Sequence, residues 1–264
     1  FEGIGNGMEE YVAYSEWPAS DLEMVQGTLE DYINKQPFNI YYMSVSGHSL
    51  YSEGQNAMAK KNWEYVEDLP YSENVKGYLG AQMELENALT YLMEQLEKRG
   101  IEDDTVIVIA SDHFPYGLDQ NSGELTYLSE LYGYDITNNL ERDHNRLIIW
   151  SGCLEEEKPI KVESPTSSID ILPTLCNLFG VEFDSRLLVG RDVFSDKEAL
   201  VYTLGYEWKT DLGSFTSSKG FVPVSEEVEI PEGYVERIKT IVKNKISYSK
   251  EVLQKDYFRH VFGE

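Results

Sequence analysis

Residues 72–113 constrain the fold more than any other part of the chain. Tyr78, Ala81, Leu85, Ala88, Leu92 and Leu96 recur at helical spacing, with Glu84, Glu86, Glu94, Glu97 and Lys98 off that stripe. This pattern predicts an amphipathic helix over about 72–99, and Gly100 stands where such a helix stops. Residues 105–110 (TVIVIA) then form a continuous apolar run, the profile of a strand covered on both faces. A second short apolar and aromatic run, residues 38–45 (FNIYYMSV), precedes the helix. Strand, long helix, strand reads as a parallel, right-handed crossover. The expected class is therefore α/β, a mostly parallel sheet flanked by helices.

The rest of the chain extends this grammar and then changes it. Residues 1–20, with Gly3, Gly5, Gly7 and Pro18, read as a loop-like lead-in. Leu22, Val25, Leu29, Tyr32 and Ile33 predict a helix that Asp21 caps and Pro37 ends. Residues 56–69 are weakly helical, and 146–150 are a further short strand. A helix over 167–179 takes Ser167 or Ser168 as N-cap and Gly180 as stop, with a kink or break at Pro173. Beyond Ala199, residues 200–204, 213–217 and 221–224 read as short antiparallel strands. A long terminal helix follows from Tyr234 to about Phe262, interrupted near 247–249. This places a first domain at 1–198 and a smaller one, antiparallel sheet plus helix, at 199–264.

Charge excludes some partners. With 47 acidic and 22 basic residues the formal charge is −25, a field that repels nucleic acid and anionic lipid surfaces. Cys153 and Cys176 are two cysteines in different elements, too few for a disulfide framework. No stretch approaches the ~20 apolar residues of a membrane span. No P-loop, GxGxxG or CxxC pattern is present.

Chemistry concentrates at the end of the 105–110 run, which leads directly into Ser111-Asp112-His113. Ligands bind at the carboxyl ends of strands in open parallel sheets, and a carboxylate followed by an imidazole offers oxygen and nitrogen donors to a divalent metal. The same pair read in isolation is equally a turn cap and an ordinary loop histidine. His48, His144 and His260 are the other histidines. His260, on the terminal helix, stands far from these motifs.

Three segments in sequence order resemble the sulfatase and alkaline phosphatase superfamily. Asp103-Asp104-Thr105, the apolar strand and Ser111-Asp112-His113 resemble "D-N/D-T, apolar strand, S/G-D-H". Residues 168–180 (SIDILPTLCNLFG) resemble the "D-I-L-P-T-L…L-G" helix, and residues 190–194 (GRDVF) the "G-R-D/S-L-F" turn after it. Within that superfamily the likeness is to the lipoteichoic acid synthase-like phosphoglycerol transferases. Residues 44–48 (SVSGH) resemble their "T/S-x-S/N-x-H", and residues 112–117 (DHFPYG) their "D-H-Y/F-P-Y-G".

The resemblance implies roles. Asp112 and His113 would be ligands to Mn²⁺ or Mg²⁺, His48 would donate a hydrogen bond to a substrate phosphate, and His144 would approach the same cleft. The substrate would be a lipid head group or glycerol phosphate, handled on the extracellular face of a cell membrane. Family members carry a nucleophile and a first metal carboxylate upstream of the matched segments. No such pattern precedes His48 here, so the expectation is a C-terminal portion, inactive by itself, of an enzyme anchored to the membrane by helices in the missing part. Neither cysteine fits the sulfatase "C-x-P-S-R" signature. Other readings of the same segments are a sulfatase, phosphoethanolamine transferase or phosphodiesterase, or a non-catalytic extracellular binding domain.

Overall fold

In the computed structural model, residues 3, 5–13, 16–120 and 124–263 are described. They fall into two compact units, Phe1–Lys158 and Pro159–Glu264. No helix among the described residues is long and apolar enough to cross a membrane.

The first unit is built on three helices. Helix α1 (Asp21–Tyr32) is capped by Ser20, whose Oγ accepts from the Glu23 N–H. Asp21, expected as the cap, is buried and bonded elsewhere. A second helix, α2 (Ala57–Lys61), starts at Asn56, whose Oδ1 accepts from Ala59 N–H at 2.7 Å. Helix α3 (Glu73–Arg99) has Ser72 as N-cap and Gly100 as C-cap, as its sequence pattern requires. Leu29, Tyr32, Ile33 and Leu96 form one core, joined by Phe38, Tyr42, Ile107 and Trp150.

The buried face of α3 differs from the expected stripe. It comprises Val75, Gly77, Gly80, Ala81, Glu84, Ala88 and Leu96. Glu84, expected on the solvent side, is fully buried. The two glycines let neighbouring backbone come close: a Cβ on Gly77 would lie 2.7 Å from the Tyr51 carbonyl carbon, and one on Gly80 3.2 Å from Ala59 O.

The sheet also differs. Strand β1 (Ile107–Ala110) pairs antiparallel with a later strand, and residues 38–45 join no ladder. Phe38 and Tyr42 anchor that segment through the core and Val45 through its amide, while Tyr41 and Met43 point outward. Side-chain contacts at intervals of three and four hold it, which is not the alternation of a paired strand. After β1 the chain passes through α4 (Thr126–Tyr132) and α5 (Asn139–Arg142) before β2 (Leu147–Trp150). The Tyr132 hydroxyl donates to the carbonyls of Arg142 and His144. This folds the excursion back on itself, so that Leu147 enters beside Ala110. A return at the same end makes the pair antiparallel. Both faces of this short pair are partly open: Val108 and Ile148, which the register places on opposite faces, are both exposed.

The second unit opens with a single 3₁₀ turn, Ser168–Asp170, continued by α6 (Ile171–Leu178). The expected break near Pro173 is this change of helix type. A four-stranded antiparallel sheet follows in the order β3 (Val201–Tyr202), β4 (Trp208–Thr210), β5 (Gly213–Thr216) and β6 (Gly220–Pro223). Trp208 of β4 is fully buried, stacked on Phe215 and Phe221 and packed by Tyr234, Ile238 and Val242 of α7 (Tyr234–Gln254). The terminal helix breaks at Lys255–Asp256 rather than at 247–249. Asp256 takes φ 47° there, and α8 (Tyr257–Phe262) follows.

Candidate functional site

Two loops of the first unit meet. One, residues 45–52, follows the extended segment; the other, residues 111–118, follows β1. Their contact is at Gly117, where a Cβ would stand 2.4 Å from Ser49 Cβ and 3.2 Å from Tyr51 Cε2. Tyr51 is buried between them, its hydroxyl donating to Gly47 O at 2.9 Å and its ring edge-on to Tyr78 of α3. Burial raises the Tyr51 phenol, and the neighbouring Tyr78, Tyr116 and Asp112 add to the effect. This places Asp112 within electrostatic reach of the loop that carries His48.

In the second loop, the Asp112 carboxylate is open to solvent and the His113 ring half-exposed. His113 Nδ1 lies 2.7 Å from the Phe114 carbonyl oxygen, which only accepts, so Nδ1 carries the proton. Nε2 is left with its lone pair, 3.5 Å from Asp112 Oδ2. Neighbouring ligands about 2.1 Å from one divalent ion lie about 3.0–3.4 Å apart, so the pair, slightly wider than that, would have to close a little on a shared ion. Among the described residues no group of three or more His, Cys, Asp or Glu could hold a metal ion. Tyr116 packs on the His113 ring at 4.8 Å, and the Arg142 guanidinium sits 4.5 Å over the Phe114 ring.

In the first loop, His48 is exposed and repeats that geometry. Its Nδ1 lies 3.0 Å from Ser49 O, and the same carbonyl accepts from Trp17 Nε1–H at 3.1 Å. The Trp17 and His48 rings meet edge to face at 5.0 Å. Behind the loop, Asp21 Oδ1 accepts from Val45 N–H at 2.8 Å. Its Oδ2 accepts from Ser46 N–H at 3.2 Å and from the Ser46 hydroxyl. Asn56 Nδ2 donates to His48 O at 2.9 Å. Burial raises the Asp21 carboxyl above its ordinary value, outweighing these hydrogen bonds. Glu84 accepts from Ser20 Oγ, Lys61 Nζ and Asn62 Nδ2. Burial pushes Glu84 up, but those bonds more than offset it and hold it below its usual range.

His144 is exposed, its Nε2 3.4 Å from Arg146 Nη1. The pairing of Ala110 with Leu147 puts it at the same end of the strand pair as Asp112 and His113. His260 is exposed on α8. Trp17, Asp21, Asn56 and Arg142 were not expected at the site. Ser20 and Asp21 are two capping-type residues at one helix start, and the surplus one is the available signal for Asp21.

The two other segments with family resemblance meet in the second unit. Asp170 accepts from Arg191 N–H at 2.8 Å and Ser167 N–H at 3.0 Å. Thr174 Oγ1 accepts from Val193 N–H, and Asn177 Nδ2 donates to Asp192. One helical face, residues 170, 174 and 177, thus grips the 190–194 turn.

Residues 5–181 match the sulfatase family, and the chain belongs to that family. Over 239 residues it is 26% identical to a lipoteichoic acid synthase of Staphylococcus saprophyticus, covering 87% of this chain and 34% of the relative. It is 25% identical over 272 residues to a lipoteichoic acid synthase of Staphylococcus aureus, covering 96% of this chain and 40% of the relative. The chain therefore spans between a third and two-fifths of the length of these relatives.

Proposed function

We propose that this chain is part of a metal-dependent phosphoglycerol transferase that acts on lipid head groups or cell-envelope polymers at the extracellular face of a membrane. The observation that carries this reading is the meeting of the His48 loop with the Asp112–His113 loop across Gly117 and Ser49. Asp112 Oδ2 and His113 Nε2 would hold Mn²⁺ or Mg²⁺. Such an ion, when bound, neutralises charge on a transferring phosphoryl group and lowers the pKa of an attacking hydroxyl. His48, as the imidazolium, would donate from Nε2 to a phosphate oxygen, and Trp17 packs edge to face on the ring that does so. Arg142, held on Phe114, is paired with Asp143 through two nitrogens and braces the second loop. His144, at the same end of the strand pair as Asp112 and His113, would approach the same cleft. The chain's similarity to lipoteichoic acid synthases favours glycerol phosphate over other phospho-alcohols.

Mn²⁺ is paramagnetic, which makes the test direct. In the histidine-labelled chain, substoichiometric Mn²⁺ is expected to broaden the His113 imidazole signals first. Those of His48 should follow once glycerol phosphate is added. Asp112→Asn should abolish the His113 effect. Equal broadening of all four histidines, or broadening indifferent to Asp112→Asn, would exclude the site.

A further inference from the structure

We propose that Asn56 and Asp21 are positioning residues for His48, which they hold through the loop backbone without touching its ring. The inference rests on the phosphate-binding reading of His48 for its purpose, but not for its geometry. His48 is a loop residue with an exposed ring, and such residues ordinarily sample several rotamers. Here the backbone is fixed on both sides. Upstream, both Asp21 carboxylate oxygens are used on Val45 and Ser46, two and three residues before the histidine. At the histidine itself, Asn56 takes the carbonyl. Both residues are about 1% exposed, as buried as core leucines. Ser20 already caps α1, so Asp21 is not needed for that helix, and the cap that Asn56 gives α2 uses only its Oδ1.

The consequence is a set tautomer. With residues 45–48 fixed, Ser49 O stands 3.0 Å from His48 Nδ1 and forces the proton onto it. Nε2 then faces outward, where only the imidazolium can donate to a phosphate. A residue that orients an imidazole through its other nitrogen or its backbone commonly changes ligand affinity by about 10–100-fold when removed.

Asn56→Asp separates positioning from folding. Aspartate keeps the oxygen that caps α2, since Asp and Asn cap equally well, but puts an acceptor where the donor to His48 O stood. Ser46→Ala removes the side-chain bond of the Asp21 arm without altering a charge and leaves its two backbone bonds in place. The ¹⁵N-labelled 264-residue chain has four imidazoles to follow by long-range ¹H–¹⁵N spectra, with His48→Gln for assignment. In the wild-type chain His48 is expected as the Nδ1–H tautomer. In folded Asn56→Asp its signals should move toward the Nε2–H form and glycerol phosphate should bind about ten-fold more weakly, with a smaller change of the same sense in Ser46→Ala.

A wild-type Nε2–H tautomer, or folded variants with the wild-type tautomer, would overturn the proposal. If the tautomer shifts in the variants but glycerol phosphate perturbs no imidazole of the wild-type chain, positioning stands and the phosphate reading of His48 falls.

Discussion

Gly117 lies so close to Ser49 that a Cβ on the glycine would stand 2.4 Å from the serine Cβ and 3.0 Å from its Oγ. This contact joins the two loops that carry His48 and His113. Gly117→Ala should force them apart and destabilise the first unit by about 1–3 kcal/mol, the usual cost of overpacking. Urea denaturation would measure the loss, and Mn²⁺ binding should weaken with it. An alanine variant of wild-type stability would show that the loops do not touch in solution.

Glu84 is buried among three hydrogen-bond donors that hold its carboxyl below the usual range for a glutamate. A carboxyl lowered in the folded state stabilises above its unfolded value, and that contribution is lost as the pH falls through the folded one. Glu84→Gln should cost about 2–3 kcal/mol at neutral pH, because one amide group must face the donors. It should also flatten the acid limb of the stability curve. Asp21, raised by burial, contributes in the opposite sense, since its protonation favours the folded state. Comparing wild type with Glu84→Gln isolates the glutamate's share.

Asp170 joins the start of its helix to the 190–194 turn with both carboxylate oxygens. Asp170→Ala leaves the amides of Ser167 and Arg191 without that acceptor, one of them buried, and should cost about 2–3 kcal/mol. Hydrogen exchange at Arg191 N–H should accelerate correspondingly. Protection equal to the wild type would show that another acceptor serves this amide.

Much of this arrangement is written in local patterns. The α3 helix follows from periodicity and its end from Gly100, and short apolar runs mark β2 and most of the C-terminal sheet. What was not legible depends on contacts distant in sequence. Counting apolar residues alone sets the α3 stripe through Leu85 and Leu92. Counting Gly77 and Gly80 as packing surface rotates it onto Glu84, whose partners lie on other elements. The antiparallel pairing of β1 with β2 depends on Tyr132 turning the intervening chain back, which no apolar run encodes. Strand β4 went unseen because its three residues include two polar ones around Trp208. At the site, the motif residues Asp112, His113 and His48 stand out by type and spacing. Asp21 and Asn56 each resemble an ordinary helix start, and only the fold reveals their second use.

The seam between α3 and the 45–52 loop is made of what side chains omit. Gly77 meets the backbone of Tyr51, and the Gln82 amide reaches the α-carbon face of Gly47. A seat that reads main chain is indifferent to the identity of the residues it seats. Substitutions at 48–50 can therefore retune what the loop recognises without renegotiating its support, so this helix offers a natural platform for divergence of specificity within the family and for grafting new recognition loops onto it.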